Sequence, residues 1–205
     1  MNIILTTLNS KFIHSSLSIR YLKSYSEDMV PIELMEFTVN QNINYIVGEI
    51  YKKDPDIIGF STYIWNREET LQICEILKII KPELKIILGG PEVSFDGKNI
   101  LRKHWFIDFI IYGEGEITFK ELLKTLIDGK NDYREVNGII YRQGDLVIQS
   151  LPRTLIKNLD SIPLLIRMWG IALNIKLFIL KALEDVLLTV SFVYPLPLKG
   201  LDILA

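Results

Sequence analysis

The chain has 205 residues and a formal net charge of −2, enough length for one sizeable domain plus an appendage and no bulk basic character that would mark a nucleic-acid binder. Its one cysteine, Cys74, excludes an intramolecular disulfide and a thiolate-ligated cluster, which fits a reducing, cytoplasmic setting. Met1-Asn2-Ile3-Ile4-Leu5 carries no basic leader and Lys11 cuts the apolar run short, so no signal peptide is expected.

Residues 3–8 read as a short buried strand. A loop follows over 9–14, with Ser15 or Ser16 positioned to cap a helix carrying Leu17, Tyr21 and Leu22. Residues 31–37 alternate apolar with acidic or polar side chains, as a strand nearer a sheet edge does. Ile43, Ile46, Val47 and Ile50 recur at helical spacing over 42–53. Asp54-Pro55-Asp56 stops that helix, because proline disfavours helix in the residue before it, and 57–61 is the third strand.

Asn66 with Glu69 resembles a capping box, opening a helix whose inner face is Leu71, Cys74 and Leu77. Residues 84–88 form the fourth strand, 96–103 a short helix and 106–112 the fifth strand. A helix bearing Phe119, Leu122, Leu123 and Leu126 comes next, closed by Gly129. Residues 136–141 and 146–149 form a small β-hairpin around Gln143-Gly144-Asp145. Strands alternating with helices in this way predict an α/β fold with a five-stranded, parallel, doubly wound sheet of the Rossmann or flavodoxin type. The expected switch point lies between strands one and three, so the loops after Leu8, Phe60 and Leu88 converge on one crevice.

The pivotal stretch is Ile86-Ile87-Leu88-Gly89-Gly90-Pro91-Glu92, an apolar run cut off at its carboxyl end. Two missing side chains let a flat ligand lie against the main chain, although a tight strand-to-helix turn without a ligand has the same signature. Ser61, Thr62 and Tyr63 put three hydroxyls at another strand end, where they could bond a ligand or merely cap the next helix. Gly113-Glu114-Gly115-Glu116 is either an adaptable ligand edge or a glycine-rich helix start with favourable acids. Tyr63 and Trp65 could stack on a ring or simply bury. His14 lies near the crevice but has no second ligand; His104, beside Trp105, reads as a surface or packing residue. No G-x-G-x-x-G follows the first strand, no Walker-type lysine loop is present, and the first loop lacks the acids of a phosphoryl-accepting receiver. No catalytic residue and no metal ligand is assigned.

Taken together, Leu8-Asn9-Ser10-Lys11-Phe12-Ile13-His14-Ser15-Ser16-Leu17, Asp56-Ile57-Ile58-Gly59-Phe60-Ser61, Ile87-Leu88-Gly89-Gly90-Pro91-Glu92 and Gly113-Glu114-Gly115-Glu116 resemble the N-terminal cobalamin-binding domain of cobalamin-dependent radical SAM proteins. The resemblance runs in order to about Pro163. It implies a corrin held over the carboxyl edge of the sheet, lined by the loop after strand one (Leu8, Asn9, Ser10), Ser61 to Tyr63, Gly89 to Glu92 and Gly113 to Glu116. Other cobalamin domains carry Asp-x-His-x-x-Gly, whose histidine ligates cobalt. Phe12-Ile13-His14-Ser15-Ser16-Leu17 lacks both the aspartate and the glycine, so His14 is not assigned to cobalt. A flavodoxin-like or nucleotide-binding enzyme domain is the alternative, with a phosphate at a helix N-terminus near Ser61 or Gly89.

The resemblance divides the chain into a cobalamin-binding domain over 1–130, a hairpin and linker over 131–163, and an apolar tail over 164–205. The tail keeps no helical or strand period, and Arg167, Lys176, Lys181, Glu184 and Asp185 interrupt it too often for a membrane span. The resembled family continues with a radical SAM domain, whose C-x-x-x-C-x-x-C motif binds an iron–sulfur cluster and which cleaves S-adenosylmethionine; that motif is missing here. Reading the codons of Asp185 to Tyr194 two nucleotides later permits Cys-Pro-Phe-Asn-Cys-Gln-Phe-Cys. Leu164 to Gly170 likewise permits Phe-Pro-Tyr-Lys-Asp-Val-Gly. The expectation is a reading-frame shift near Pro163, with a native helix pair covering the sheet as the alternative. The module alone is expected to bind cobalamin and to perform no radical chemistry.

Overall fold

A computed structural model describes residues 1–11 and 15–156. The expectations on His14, on the linker after 157, and on the apolar tail with its shifted frame lie outside the described residues. In chain order the elements are β1 (Ile3–Asn9), α1 (Leu17–Ser26), β2 (Ile32–Thr38), α2 (Ile43–Lys52), β3 (Ile57–Ser61), α3 (Arg67–Ile80) and β4 (Lys85–Gly89). Then come α4 (Pro91–Ser94), α5 (Gly97–Lys103), β5 (Phe109–Ile111), α6 (Glu116–Ile127), β6 (Ile139–Gln143) and β7 (Leu146–Gln149).

Local chemistry sets several boundaries. The Asn42 carboxamide oxygen accepts from the Asn44 N–H at 2.8 Å and the Tyr45 N–H at 3.4 Å, capping α2. Gly129, at φ 67°, lets the chain turn left-handed after α6 and donates its N–H to the Leu126 carbonyl. Pro91 at the first helical position makes α4, a one-turn helix that the sequence reading did not separate from the loop. β5 is shorter than expected: Phe106 and Ile107 are buried in the core but lie outside the strand, and the Asp108 side chain is held by Lys78.

The strand order is β2-β1-β3-β4-β5-β6-β7. Each neighbouring pair from β2 to β5 is parallel, and β6 and β7 are antiparallel. The expected five-stranded parallel sheet is therefore corrected to a seven-stranded mixed sheet. The hairpin does not stand apart, because β6 pairs with β5 through Phe109↔Tyr141 and Ile111↔Ile139. Buried Ile139, Ile140 and Tyr141 supply apolar groups on both faces, so the hairpin extends the sheet and does not cap it.

Side chains alternate between two cores. Ile4 and Leu8 of β1, with Ile58 and Phe60 of β3, face α2, α3, α4 and α5. Ile3 and Leu5, with Ile57, face α1 and α6 through Ile19, Phe119 and Leu122. Burial on both faces is why the central strands read as continuous apolar runs. Cys74 is fully buried in the first core, and burial pushes its thiol pKa up, leaving a protonated packing residue.

The amino edge is closed by charge. Lys78 Nζ donates to Asp108 Oδ2 at 2.8 Å and to the Leu84 carbonyl at 2.6 Å, and the Ile86 N–H donates to the same Asp108 oxygen at 2.9 Å. With the Lys78 side chain only 9% exposed, removing its partner strands a nearly buried cation. Asp108→Ala is expected to lower stability by about 3 kcal/mol, read as a shift in the denaturant midpoint at unchanged m-value; an unshifted midpoint contradicts this role.

Candidate functional site

β1 is flanked by both β2 and β3, and the chain leaves these strands on opposite faces: α1 packs in one core and α3 in the other. This is the expected switch point, where connections diverge and leave a gap beyond the strand ends. One residue holds the two strand ends together. The Asn66 amide donates to the Leu8 carbonyl at 3.0 Å and the Ser61 carbonyl at 3.2 Å, while its Oδ1 accepts from the Tyr63 N–H at 2.8 Å. The capping-box expectation is corrected accordingly: Asn66 is the N-cap residue of α3, but its fully buried side chain makes no cap bond.

Hydroxyls gather along the gap on the α1 side. Ser61 Oγ lies 2.9 Å from Ser18 Oγ, which lies 2.9 Å from Ser16 Oγ, and the Tyr63 hydroxyl reaches Ser18 at 3.5 Å. Ser16 is the N-cap residue of α1, yet its hydroxyl serves this chain and makes no cap bond. Behind it, Glu36 of β2 accepts from the Asn9 side chain at 2.9 Å and from the Ser16 N–H at 2.9 Å, and pairs with Arg20. Ser18, Glu36 and the strand-linking use of Asn66 were not read from the sequence. The cluster Ser15-Ser16-Leu17-Ser18 was the available signal for the first, and an acid on an otherwise apolar strand for the second.

The other expected residues divide by role. Leu8 is fully buried in the first core, so only its carbonyl serves this edge. Asn9 and Ser10 are half-buried, Asn9 tied to Glu36. Gly90, at φ 110° and ψ 170°, is where the β4 and β3 loops touch: a Cβ there would overlap the Thr62 carbonyl oxygen, and the Thr62 N–H donates to the Gly89 carbonyl at 2.7 Å. Thus Gly90 serves loop-to-loop packing, while Gly89 is the glycine that leaves space, its hypothetical Cβ meeting nothing closer than the Ile111 carbonyl at 4.0 Å. Pro91 is exposed, and Glu92 accepts from Arg67 at 2.8 Å. Tyr63 and Trp65 stack on each other, ring centroids 4.6 Å apart and 4° from parallel. Gly113 is exposed at φ 77° with open space around it, Gly115 packs against Leu22, and Glu116 opens α6. Glu114 turns its carboxylate to the Ile156 N–H, 2.7 Å away.

A family model described as "B12 binding domain" matches residues 3–123, more than half of the chain. The chain belongs to the B12-binding domain family. Among curated relatives, it is 34% identical over 86 residues to the cobalamin-dependent radical SAM methyltransferase TokK of Streptomyces tokunonensis, covering 42% of this chain and 13% of that protein. It is 30% identical over 149 residues to the uncharacterized methyltransferase PH0819 of Pyrococcus horikoshii, covering 72% of this chain and 32% of that one. The solved structure of the cobalamin-dependent S-adenosylmethionine radical enzyme OxsB with aqua-cobalamin bound aligns with a TM-score of 0.63 at 25% identity, over 75% of this chain and 22% of that one. The chain spans less than a third of the length of these relatives.

The residues of this B12-binding domain suit a broad cofactor with amide and nucleotide arms. Open space adjoins Gly89 and Gly113 at the carboxyl ends of β4 and β5. The Thr62 hydroxyl is fully buried and has no hydrogen-bond partner among the described residues. Serine and tyrosine hydroxyls both donate and accept, which matches amide side arms and a nucleotide without fixing a charge.

The two adjacent glycines separate by substitution. Gly90→Ala is expected to cost about 1–3 kcal/mol, because its backbone lies in a region open essentially to glycine. Gly89→Ala should leave the melting temperature nearly unchanged. Equal melting temperatures for the two variants would contradict the division of roles.

Proposed function

We propose that this chain is the cobalamin-binding module of a radical SAM protein, with the corrin over the carboxyl edge of β1, β3, β4 and β5. The observation that supports it most is the pairing of the B12-binding match with the chain of hydroxyls at the switch point and the space beside Gly89. Ser61, Ser18 and Tyr63 would hold the cofactor's polar arms, and Gly89 and Gly113 would admit its bulk. Asn9, Ser10, Gly90, Pro91, Glu92, Gly115 and Glu116 would shape the rim, with the buried Leu8 and Thr62 contributing from below it. Glu36 and Asn66 would keep the wall in register. Bound cobalamin supplies a cobalt centre suited to carrying a methyl group.

What the relatives are named for extends the proposal. In a longer protein, a radical SAM domain with an iron–sulfur cluster and S-adenosylmethionine would work against this module; alone, the module binds its cofactor and turns nothing over. The proposed division is a cofactor domain over 1–130, a hairpin and linker over 131–163 and a tail over 164–205. A cytoplasmic location goes with that reading. No helix among the described residues is long and apolar enough to cross a membrane.

Titration of the full chain with hydroxocobalamin, followed by gel filtration, tests the reading. The visible spectrum is expected to elute with the protein, and Gly89→Leu, which fills the open side of β4, to weaken binding at least ten-fold, about 1.4 kcal/mol, without loss of fold. A cobalamin spectrum that elutes wholly apart from folded wild-type protein, or retention of flavin mononucleotide instead, would sink the proposal.

A further inference from the structure

The parity of the sheet decides where the chain leaves it. β6 runs antiparallel to β5 and β7 antiparallel to β6, so β7 again points toward the carboxyl edge. Had the chain stopped after β6, it would have left at the opposite edge. The hairpin returns it to the rim where the crevice lies.

Residues 150–156 are then lashed down. The Tyr112 hydroxyl donates to the Ser150 carbonyl at 2.6 Å, the Gly138 N–H donates to the Leu151 carbonyl at 2.8 Å, and the Arg153 Nε donates to Thr118 Oγ1 at 2.9 Å. Arg153 also pairs with Glu121, and its side chain is only 14% exposed. At the far end, the Ile156 N–H donates to Glu114 Oε2 at 2.7 Å. Glu114 belongs to the four-residue turn between β5 and α6, where Tyr112 is tied to the hairpin through its N–H to the Gly138 carbonyl and Gly113 and Gly115 flank Glu114. A glycine on each side of Glu114 widens the backbone choices open to that segment, and ordering it on ligand binding costs entropy.

We infer that Glu114 and Arg153 are positioning residues: they strap residues 150–156 to the β5–α6 turn and the first turns of α6 and so pre-order one wall of the cofactor crevice, coupling cofactor occupancy to the order of residues 150–156. This rests on the cobalamin reading of the site. Glu114 acts through the turn, with its carboxylate turned to the strap. Coupling of this kind is reciprocal: if the strap favours cofactor binding, the cofactor must favour the strapped state by the same factor.

The test pairs cobalamin affinity with amide exchange in the full chain. Hydroxocobalamin is expected to slow exchange across residues 150–156 of the wild type. Glu114→Ala and Arg153→Ala are each expected to weaken cobalamin on the order of five-fold or more, the lower end of ordinary coupling, and to abolish that slowing. Glu114→Gln, which keeps an accepting oxygen, should recover most of the wild-type affinity. If the wild type holds cobalamin while exchange over 150–156 is unchanged and Glu114→Ala binds as tightly, the strap is overturned and the cofactor site stands. If the wild type does not hold cobalamin at all, both readings fall. The wild-type exchange measurement needs no variant, so a misfolded variant does not protect the inference.

Discussion

The geometry of the joined β1 and β3 ends, over which the crevice is proposed, rests on one carboxamide. Asn66 is fully buried and bridges β1 to β3 by donating to a carbonyl on each, while its oxygen accepts from the loop that carries Tyr63. Strand ends at a switch point lose their ladder partners just where the connections diverge, leaving main-chain carbonyls that need donors in a region shielded from water. Asn66 supplies two donors and one acceptor from a single side chain, which no apolar or singly functional residue could do. The hydroxyl line of Ser16, Ser18 and Ser61 then finds its spacing against strand ends already fixed in register.

A second constraint comes from the backbone. At Gly90 the β4 loop passes so close to the Thr62 main chain that any side chain would collide, and the φ of 110° is itself a glycine conformation. The β3 and β4 loops therefore form one lip, joined further by Arg67 and Glu92. A stiff lip beside an open Gly89 suits a rigid ring better than a mobile chain, because little ordering is left for the ligand to impose. The hairpin and the proposed strap apply the same logic on the far side, where Tyr112 and Glu114 tie the β5–α6 turn to residues 138 and 156.

Much of this was legible in the residues. Apolar runs bounded by Gly, Pro and Asp marked the strands, the helical spacing of Ile43, Ile46, Val47 and Ile50 marked α2, and the switch point followed from the alternation of elements. The legible part is local, since periodicity reports a residue's own surroundings. The missed part is long-range. Nothing near Asn66 in sequence says that its side chain reaches back 58 residues to Leu8 in preference to capping its own helix. Likewise, the family resemblance puts Glu114 and Glu92 at the crevice, yet each is occupied by a partner far along the chain, Ile156 and Arg67. The hairpin's place in the sheet was missed for the same reason: a β-hairpin pattern fixes the pairing of its own strands and is silent on which edge they join.

The account turns on a cofactor lying over the switch point and the strand ends beside it, and amide chemical-shift mapping of the labelled full chain with hydroxocobalamin tests this most directly. Shifts are predicted to concentrate in residues 9–11, 61–65, 89–90 and 113–116, with the opposite edge around Asp56 and Asp108 undisturbed. Saturable shifts centred on that opposite edge, with the four loops unchanged, would contradict it.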